Sequence, residues 1–234
     1  MTDAVTLLSH GNLRLAKRWR ADGVVEPYED AKQYTLKSVP VADIQALSAL
    51  LTSIERDPHT AVVRGAFRGV EIAKQDPEYE PGRVRRLAAN FDDVPHHWCL
   101  IDIDKFKSTH DPVHEPEAAI AEMVGAILPE AFHDISYHWQ LSNTAGHAKA
   151  AGLLKVHLWF WLRWPGTSAQ VKAWAQAHHV AVDHALFLAA VVAVGDDQIL
   201  DLKQRGCGCG RDCGGGAVLQ QGAHTGLRAK EAPM

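Results

Sequence analysis

The sequence lacks the long apolar segments that a membrane protein needs. No apolar run in it reaches the roughly 18 residues that span a bilayer. The N-terminus also lacks a basic segment followed by an apolar core, which is the pattern of a secretory signal. We therefore expect a cytoplasmic protein with no membrane partner.

Cysteine is scarce as well, with four residues among 234. Cys99 lies inside an apolar run, whereas the other three stand close together near the end of the chain, at Cys207, Cys209 and Cys213. A small secreted protein instead spreads its cysteines as a framework of disulfides. The distribution here argues against that class.

The chain lacks an excess of positive charge, because its net charge is −4. This balance argues against a protein that coats nucleic acid indiscriminately through the phosphates. A local basic groove can still bind a polyanion within an acidic protein. The overall charge therefore leaves a nucleic-acid partner open.

The remaining composition is that of an ordinary globular protein, with 47% hydrophobic and 22% charged residues. Helical spacing of apolar residues alternates along the chain with the period of two that indicates strands. The pattern predicts helices over 41–54 with Pro40 near the start, between Pro116 and Pro129, and after Gly166, and strands over 60–63, 98–105, 135–141 and 153–162. The alternation over 135–141 predicts a strand half buried on one face. Adjacent strands joined by a loop favour antiparallel pairing. We therefore expect an α+β fold, with a mixed or antiparallel sheet flanked by helices.

Arginine occurs at positions where a phosphate could bind. Arg64 stands in an Arg-Gly turn, and a cluster formed by Arg83, Arg85 and Arg86 follows a predicted loop over 71–83. Residues 1–37 mix further basic side chains with short apolar pieces. A structural turn at Arg64 and a solvated surface elsewhere are the alternatives.

Two carboxylates one residue apart end the predicted strand over 98–105. Alternate side chains of a strand point to the same face, so Asp102 and Asp104 are expected on one face, roughly 7 Å apart along the backbone. Carboxylate oxygens at this spacing suit a hard divalent cation such as Mg²⁺ or Mn²⁺. Acidic pairs at strand ends are common, and the spacing alone leaves a structural role open.

The strand predicted over 153–162 has two polar side chains in an apolar and aromatic run. Lys155 and His157 would share one face with Trp159 and Trp161. An isolated histidine in such a strand is often a packed residue bonded to backbone. Lys155 beside it favours a triphosphate clamp, in which Lys supplies charge and His a directed hydrogen bond. The small-residue loop that begins at Ser142 could add further donors.

The order of these motifs resembles that of the archaeo-eukaryotic primase superfamily. The segment Ile101-Asp102-Ile103-Asp104 resembles its first motif, hydrophobic-Asp-hydrophobic-Asp. The segment Lys155-Val156-His157 is similar to its second motif, small-x-His, although Lys155 stands where that pattern has a small residue. Val182-Asp183 is similar to its third motif, hydrophobic-Asp. The likeness extends over about residues 5–187, and it is strongest to primase-polymerase proteins of phages, plasmids and integrated elements.

The resemblance implies an RRM-like primase-polymerase catalytic domain over residues 1–187. It implies that the divalent metal is held, and catalysis supported, by Asp102, Asp104 and Asp183. It assigns the incoming nucleotide to His157, and the residues themselves suggest Lys155 and Ser142 as further contacts. The implied function is template-directed synthesis of primers or DNA in the replication of a mobile element. The implied partners are a DNA template, nucleoside triphosphates and a replicative helicase.

The segment 188–234 departs from the way such proteins continue. It is rich in Gly, Cys and Arg, which is typical of GC-rich DNA read in a shifted frame, so we expect a disordered or frameshifted tail. A zinc site formed by Cys207, Cys209, Cys213 and His224 is an alternative, although its spacing departs from the usual Cys-x2-Cys pairs. An incomplete domain raises a second hypothesis for function, a catalytically silent remnant that binds nucleic acid or nucleotide.

Overall fold

The computed structural model describes residues 3–19, 24–142, 144–147 and 150–177, and the backbone of two strands at 186–188 and 225–228. Its strands are β1 (Asp3–Ser9), β2 (Arg18–Trp19), β3 (Val25–Glu26), β4 (Thr35–Val41), β5 (Thr60–Val63), β6 (Ala66–Phe67), β7 (Phe91–Asp92), β8 (His96–Lys107), β9 (Tyr137–Leu141), β10 (Leu153–Gly166), β11 (Leu186–Leu188) and β12 (Thr225–Arg228). Its α-helices are α1 (Ile44–Ile54), α2 (Val70–Ala73), α3 (Pro116–Ile127) and α4 (Ser168–Ala177). None of these helices is long and apolar enough to cross a bilayer.

Two antiparallel sheets organise these elements. The smaller sheet has the strand order β4-β1-β5, and the larger has the order β11-β8-β10-β9-β12. The long strands β8 and β10 form the middle of the larger sheet. This arrangement confirms the predicted α+β class with an antiparallel sheet. The β12 segment lies in the predicted tail and pairs with β9, and the boundary at residue 187 stays a prediction.

The helix predicted over 41–54 begins at Ile44, three residues later than expected. The side chain of Asp43 accepts a hydrogen bond from the backbone N–H of Ala46 at 2.8 Å, which caps the helix. Pro40 lies in β4 opposite Ala4 of β1 and does not start the helix. An edge strand such as β4 tolerates proline because one side of its backbone has no partner strand.

The strand β1 is a second departure from the sequence prediction, which treated residues 1–37 as short apolar pieces. It is the middle strand of the smaller sheet, and its side chains Val5 and Leu8 are fully buried. In the predicted loop over 71–83, α2 takes up the first residues. Because β1 pairs with β4 and β5, its apolar residues contact residues that lie far away in the sequence, and a local pattern does not predict such contacts.

The larger sheet has an apolar core on each face. The first core lies between this sheet, α1 and the smaller sheet, and it includes Trp98, Leu100 and Trp159. The second core lies under α3, and its sheet residues include Ile101, Ile103, Leu158 and Phe160. Alternate residues of β8 and β10 therefore enter opposite cores, as the period of two predicts. Both faces of the sheet are covered around these residues.

The covering of both faces corrects the prediction for β9. Its alternating sequence predicted a strand buried on one face, yet all five residues of Tyr137–Leu141 are buried. The face that carries His138 is covered by α1, whose Ser48 hydroxyl lies 2.9 Å from His138 Nδ1. This hydrogen bond satisfies one ring nitrogen, so a polar side chain can be buried there.

A bulge interrupts the pairing of β8 with β10 near the predicted metal motif. Two residues of β8, Asp104 and Lys105, lie opposite the single residue Lys155 of β10. The extra residue shifts the alternation, so Ile103 and Phe106 both enter the second core although they are three positions apart. The bulge therefore determines which side chain faces Lys155.

Arg64 joins the two sheets and is buried, with 3% of its surface exposed. Its guanidinium donates hydrogen bonds to the carbonyls of Trp98 at 3.3 Å and Gly166 at 2.6 Å, and to the Ser168 hydroxyl at 2.7 Å. The same group lies 5.5 Å from the centre of the Trp98 ring, within the range of a cation–π contact. Of the two predicted roles for Arg64, these contacts support the structural one.

Candidate functional site

A cluster of polar side chains lies on the face of the larger sheet that also carries Trp98. Asp102 of β8 pairs with His157 of β10, which in turn pairs with Gln140 of β9, so the three residues form a row across adjacent strands. Asp104 and Lys155 form a second pair, at the bulge. We call these five residues the polar cluster: Asp102, Asp104, Gln140, Lys155 and His157. Asp102 and Asp104 share one face of β8 and Lys155 and His157 share one face of β10, as predicted, and the pairing of the two strands brings these groups together.

Asp102 and His157 form the buried half of the polar cluster, with 5% and 1% of their surfaces exposed. Asp102 Oδ1 lies 3.2 Å from His157 Nε2, which is within ion-pair distance. The two groups are not aligned for a hydrogen bond, and among the described residues neither Asp102 Oδ1 nor His157 Nδ1 has a hydrogen-bond partner. Buried polar atoms nearly always have partners, so these two atoms are unusual; both are shielded from solvent, and a ligand would reach them only if neighbouring side chains moved.

Asp104 and Lys155 form the more exposed half of the polar cluster. Lys155 Nζ donates a hydrogen bond to Asp104 Oδ1 at 2.9 Å, with 18% of the lysine side chain and 28% of the aspartate side chain exposed. This ion pair balances one carboxylate of the predicted metal motif with a cation from the chain itself. Asp102, by contrast, lies beside the imidazole of His157.

Ser142 lies at the end of β9, next to the polar cluster. Its backbone N–H donates to the carbonyl of Lys155 at 2.9 Å, and its hydroxyl lies 2.9 Å from the hydroxyl of Thr144. Strand alternation places Ser142 on the face of Gln140 and His138. The predicted nucleotide contact is therefore close in position to Lys155, and its hydroxyl has a partner within the loop.

Gln140 is the member of the polar cluster that was not predicted as a site residue. Its side chain is 8% exposed and lies beside His157 in the pairing of β9 with β10. The alternation of the strand already separates Gln140 from the apolar residues Trp139 and Leu141. This signal marks its face, but its place next to His157 depends on strand register, which the sequence does not display.

The third predicted carboxylate, Asp183, lies outside the described residues. Three residues further along the chain, Leu186 pairs with Ile103, the residue between the two carboxylates of β8. Within the described ranges, no three or more His, Cys, Asp or Glu side chains come together as a group that could hold a metal ion. The oxygens of Asp102 and Asp104 fit a hard cation in type, with Asp102 Oδ1 3.2 Å from His157 Nε2 and Asp104 Oδ1 bonded to Lys155. The predicted zinc ligands of the tail also lie outside the described residues.

A cavity of about 470 Å³ opens at the ends of β8 and β10, within the range of small-molecule sites. Its wall includes Leu153, two residues before Lys155, and the polar loop from Ser108 to His114. A hydrogen bond from Ser108 lowers the pKa of Glu122, and one with His114 lowers the pKa of Asp111. The loop after the predicted metal strand thus leaves an open space and keeps these carboxylates charged.

The polar cluster brings two carboxylates, an ammonium and an imidazole together on adjacent strands. Carboxylates bind hard cations, whereas ammonium and imidazole groups donate hydrogen bonds to phosphates. No protein-family model, curated protein or solved structure matches this chain.

Proposed function

We propose that this chain is a metal-dependent nucleotidyltransferase, a DNA primase-polymerase that copies a DNA template from nucleoside triphosphates. The observation that carries the proposal is the polar cluster, in which Asp102 and Asp104 face His157 and Lys155 across two paired strands. In the same proposal the larger sheet is the core of an RRM-like primase-polymerase fold. The biological setting is the replication of a mobile element, with a replicative helicase as partner.

The unpartnered atoms of the polar cluster support a binding role. A buried polar atom without a hydrogen bond costs about 1–3 kcal/mol of folding free energy. Asp102 Oδ1 and His157 Nδ1 are two such atoms, and they lie on neighbouring side chains. A cation at the first and a phosphate oxygen at the second would supply the missing partners.

The carboxylates of the polar cluster are assigned to the metal. Asp102 and Asp104 hold Mg²⁺ or Mn²⁺ together with Asp183, whose role stays a prediction because it lies outside the described residues. When bound, the metal neutralises charge on the phosphates and favours ionisation of the attacking hydroxyl. Because β8 is paired with a strand on each side, its backbone holds the two carboxylates in fixed positions for the metal.

The donors of the polar cluster are assigned to the triphosphate. His157 donates a hydrogen bond to a phosphate oxygen, Lys155 contributes its charge, and Ser142 contributes its hydroxyl. In the reaction the 3′-hydroxyl of the primer attacks the α-phosphate in line, and pyrophosphate leaves. Fixed donors and charges at the phosphates stabilise the transition state because they need not reorganise during the reaction.

Primer synthesis and extension assays with Mn²⁺ and with Mg²⁺ test the proposal. The double variant Asp102→Asn with Asp104→Asn keeps the shape of both side chains and removes both charges. We expect its activity to fall by at least about 100-fold, as for the loss of a main electrostatic contact to a transition state. The matched control is Asp92→Asn, because the side chain of Asp92 is exposed at the surface and outside the polar cluster.

Two results would contradict the proposal. One is equal activity of the wild type and the double variant, which would remove the carboxylates from the reaction. The other is a folded wild type that neither makes nor extends primers with either metal. Circular dichroism on both proteins establishes that a loss of activity is not a loss of fold.

A catalytically silent remnant that binds nucleotide or nucleic acid is the second candidate function. It is motivated by the sequence of segment 188–234, whose Gly, Cys and Arg enrichment departs from the way primase-polymerase proteins continue. Calorimetry with a nucleoside triphosphate separates the candidates, because a remnant binds without turnover. In either case His157→Ala should weaken nucleotide binding, and unchanged affinity would remove His157 from the site.

A further inference from the structure

Lys155 occupies a special position in the polar cluster, because its ammonium lies against one of the two carboxylates of β8. Its ammonium lies 2.9 Å from Asp104 Oδ1 and is mostly shielded from water. The bulge in β8 creates this pair, since it sets Asp104 and Lys105 opposite Lys155 alone. The chain thereby places a cation of its own on a carboxylate that the proposed function assigns to a metal.

We propose that Lys155 is an internal counter-ion that holds Asp104 until a nucleoside triphosphate binds, so that nucleotide and divalent cation are taken up together. This inference rests on the proposed function, because it assumes that Asp104 is a metal ligand. It adds a coupling between the binding of the nucleoside triphosphate and the binding of the divalent cation. Neither the carboxylates nor His157 would produce this coupling by themselves.

Lys155 and a metal ion compete for the same carboxylate. A divalent cation binds a carboxylate oxygen at about 2.0–2.2 Å. If the metal took Asp104 Oδ1 while Lys155 kept its place, the two cations would be at most about 5 Å apart. Like charges at this distance repel strongly where water is largely excluded. Metal binding without nucleotide is therefore opposed by the ammonium.

A triphosphate offers the ammonium a better partner. Lys155 and His157 are alternate residues of β10, so their side chains lie on one face about 7 Å apart along the backbone. A phosphate held by His157 would lie within reach of the flexible four-carbon stem of Lys155. Once the ammonium moves to the phosphates, Asp104 is left uncompensated and attracts the metal. Because binding linkage is reciprocal, the metal then strengthens nucleotide binding by the same factor.

The test measures Mn²⁺ binding itself by electron paramagnetic resonance, with and without a dATP analogue that carries a methylene bridge between its α- and β-phosphates. The variant Lys155→Met removes the charge and keeps most of the stem. The control Lys107→Met removes an equal charge from the end of β8, where Lys107 is exposed. Lys155→Arg retains the charge and should behave more like the wild type.

We expect Lys155→Met to bind Mn²⁺ alone about tenfold more tightly than the wild type, a factor within the usual range of coupling between ligands. The factor by which the dATP analogue strengthens Mn²⁺ binding should fall by a similar amount. Lys107→Met should leave both quantities unchanged. If Lys155→Met does not fold, Lys155→Gln takes its place, with the same expected results.

The outcomes separate this inference from the proposed function. Equal Mn²⁺ affinity and equal nucleotide coupling in the wild type and Lys155→Met would overturn the role of Lys155, while the metal site would stand. An equal gain in affinity in Lys107→Met would also overturn it, because the effect would then be one of net charge. No Mn²⁺ binding in any variant, with or without nucleotide, would overturn both proposals.

Discussion

One face of strand β8 has two parts: a covered half at Trp98 and Leu100, which lie in an apolar core, and a polar half at Asp102 and Asp104, which face His157 and Lys155. In the covered half, Trp98 packs against Trp159 with ring centres 5.6 Å apart, and its indole N–H donates to the carbonyl of Ala4 at 3.0 Å. In the polar half, Asp102 Oδ1 lacks a hydrogen-bond partner among the described residues although its side chain is buried. The same backbone thus supports a packed aromatic core at one end and a cluster of charged and polar groups at the other.

Along this one strand, the covered half contributes to stability and the polar half carries the groups assigned to the proposed function. Buried aromatic residues contribute favourable free energy through the area that they remove from water. Buried charges without partners have the opposite effect, and proteins retain them mostly where a ligand uses them. Substitutions in the covered half should therefore lower the free energy of unfolding, whereas substitutions in the polar half should leave it nearly unchanged or raise it. Three predictions test this contrast.

The largest effect is expected in the covered half, for Trp98→Ala. Trp98 is 1% exposed, contacts Trp159 and accepts the Arg64 guanidinium over its ring. Loss of this side chain leaves a cavity between the two sheets, so the free energy of unfolding should fall by about 3–5 kcal/mol. Chemical denaturation monitored by circular dichroism measures this free energy of unfolding.

The control for this substitution is Trp164→Ala, because 71% of the Trp164 surface is exposed. An exposed residue of the same type should change the free energy of unfolding by less than about 0.5 kcal/mol. Similar losses in the two variants would show that the contrast between buried and exposed aromatic residues is wrong.

The next effect concerns His138, the polar residue that pairs with Trp159 next to the covered half. Burial lowers the pKa of His138 from 6.5 to about 4. Between these values the unfolded chain takes up a proton that the folded chain does not bind, so folding is disfavoured as the pH falls. The contribution of neutral His138 to the free energy of unfolding is fully present above about pH 6.5 and is lost as the pH falls to about 4. The total loss is at most about 3 kcal/mol.

The variant His138→Asn measures this contribution, because an amide can replace the hydrogen bond to Ser48 without titrating. Its free energy of unfolding should fall less than that of the wild type between pH 7 and pH 4.5. Ser48→Ala removes the hydroxyl and keeps the imidazole buried, so it should retain the pH dependence. Parallel pH curves for the wild type and His138→Asn would contradict the prediction.

The sequence predicted the elements whose pattern is local and repeated. The helix that starts at Pro116 and the strand β5 over Thr60–Val63 begin where expected, because apolar spacing and proline are local signals. The shared face of Asp102 and Asp104 also follows from a period of two. The strand β1 was missed, since its partners come from residues that lie more than 25 positions away.

The pairings within the site depend on register, which explains what the sequence could not show. Lys155 was predicted as a phosphate contact. Its partner Asp104 follows from a bulge in β8, and the residue types at the bulge do not predict it. Gln140 was not predicted because only the pairing of β9 with β10 sets it beside His157. Long-range pairing therefore decides the contacts of side chains whose faces local alternation already defines.

The smallest effect is expected in the polar half, for Asp102→Asn. Asparagine keeps the shape of the side chain and removes a buried charge whose Oδ1 has no hydrogen-bond partner in the described part of the chain. The free energy of unfolding should stay within about 1 kcal/mol of the wild type or rise, since no aligned hydrogen bond is lost at this oxygen.

The matched substitution is Asp3→Asn, at a carboxylate of β1 that contacts His96 and His97 at the start of β8. Asp3 accepts hydrogen bonds from the backbone of Ala4 at 2.7 Å and of His97 at 2.5 Å, and Asp3 Oδ1 lies 2.7 Å from His96 Nδ1. Burial acts to raise the pKa of Asp3, but the bonds from His96 and the backbone outweigh it and lower the pKa. Asp3→Asn should therefore lower the free energy of unfolding by about 1–3 kcal/mol, as for a buried bonded charge. A larger loss in Asp102→Asn than in Asp3→Asn would mean that Asp102 contributes to stability, and the polar half would then be structural.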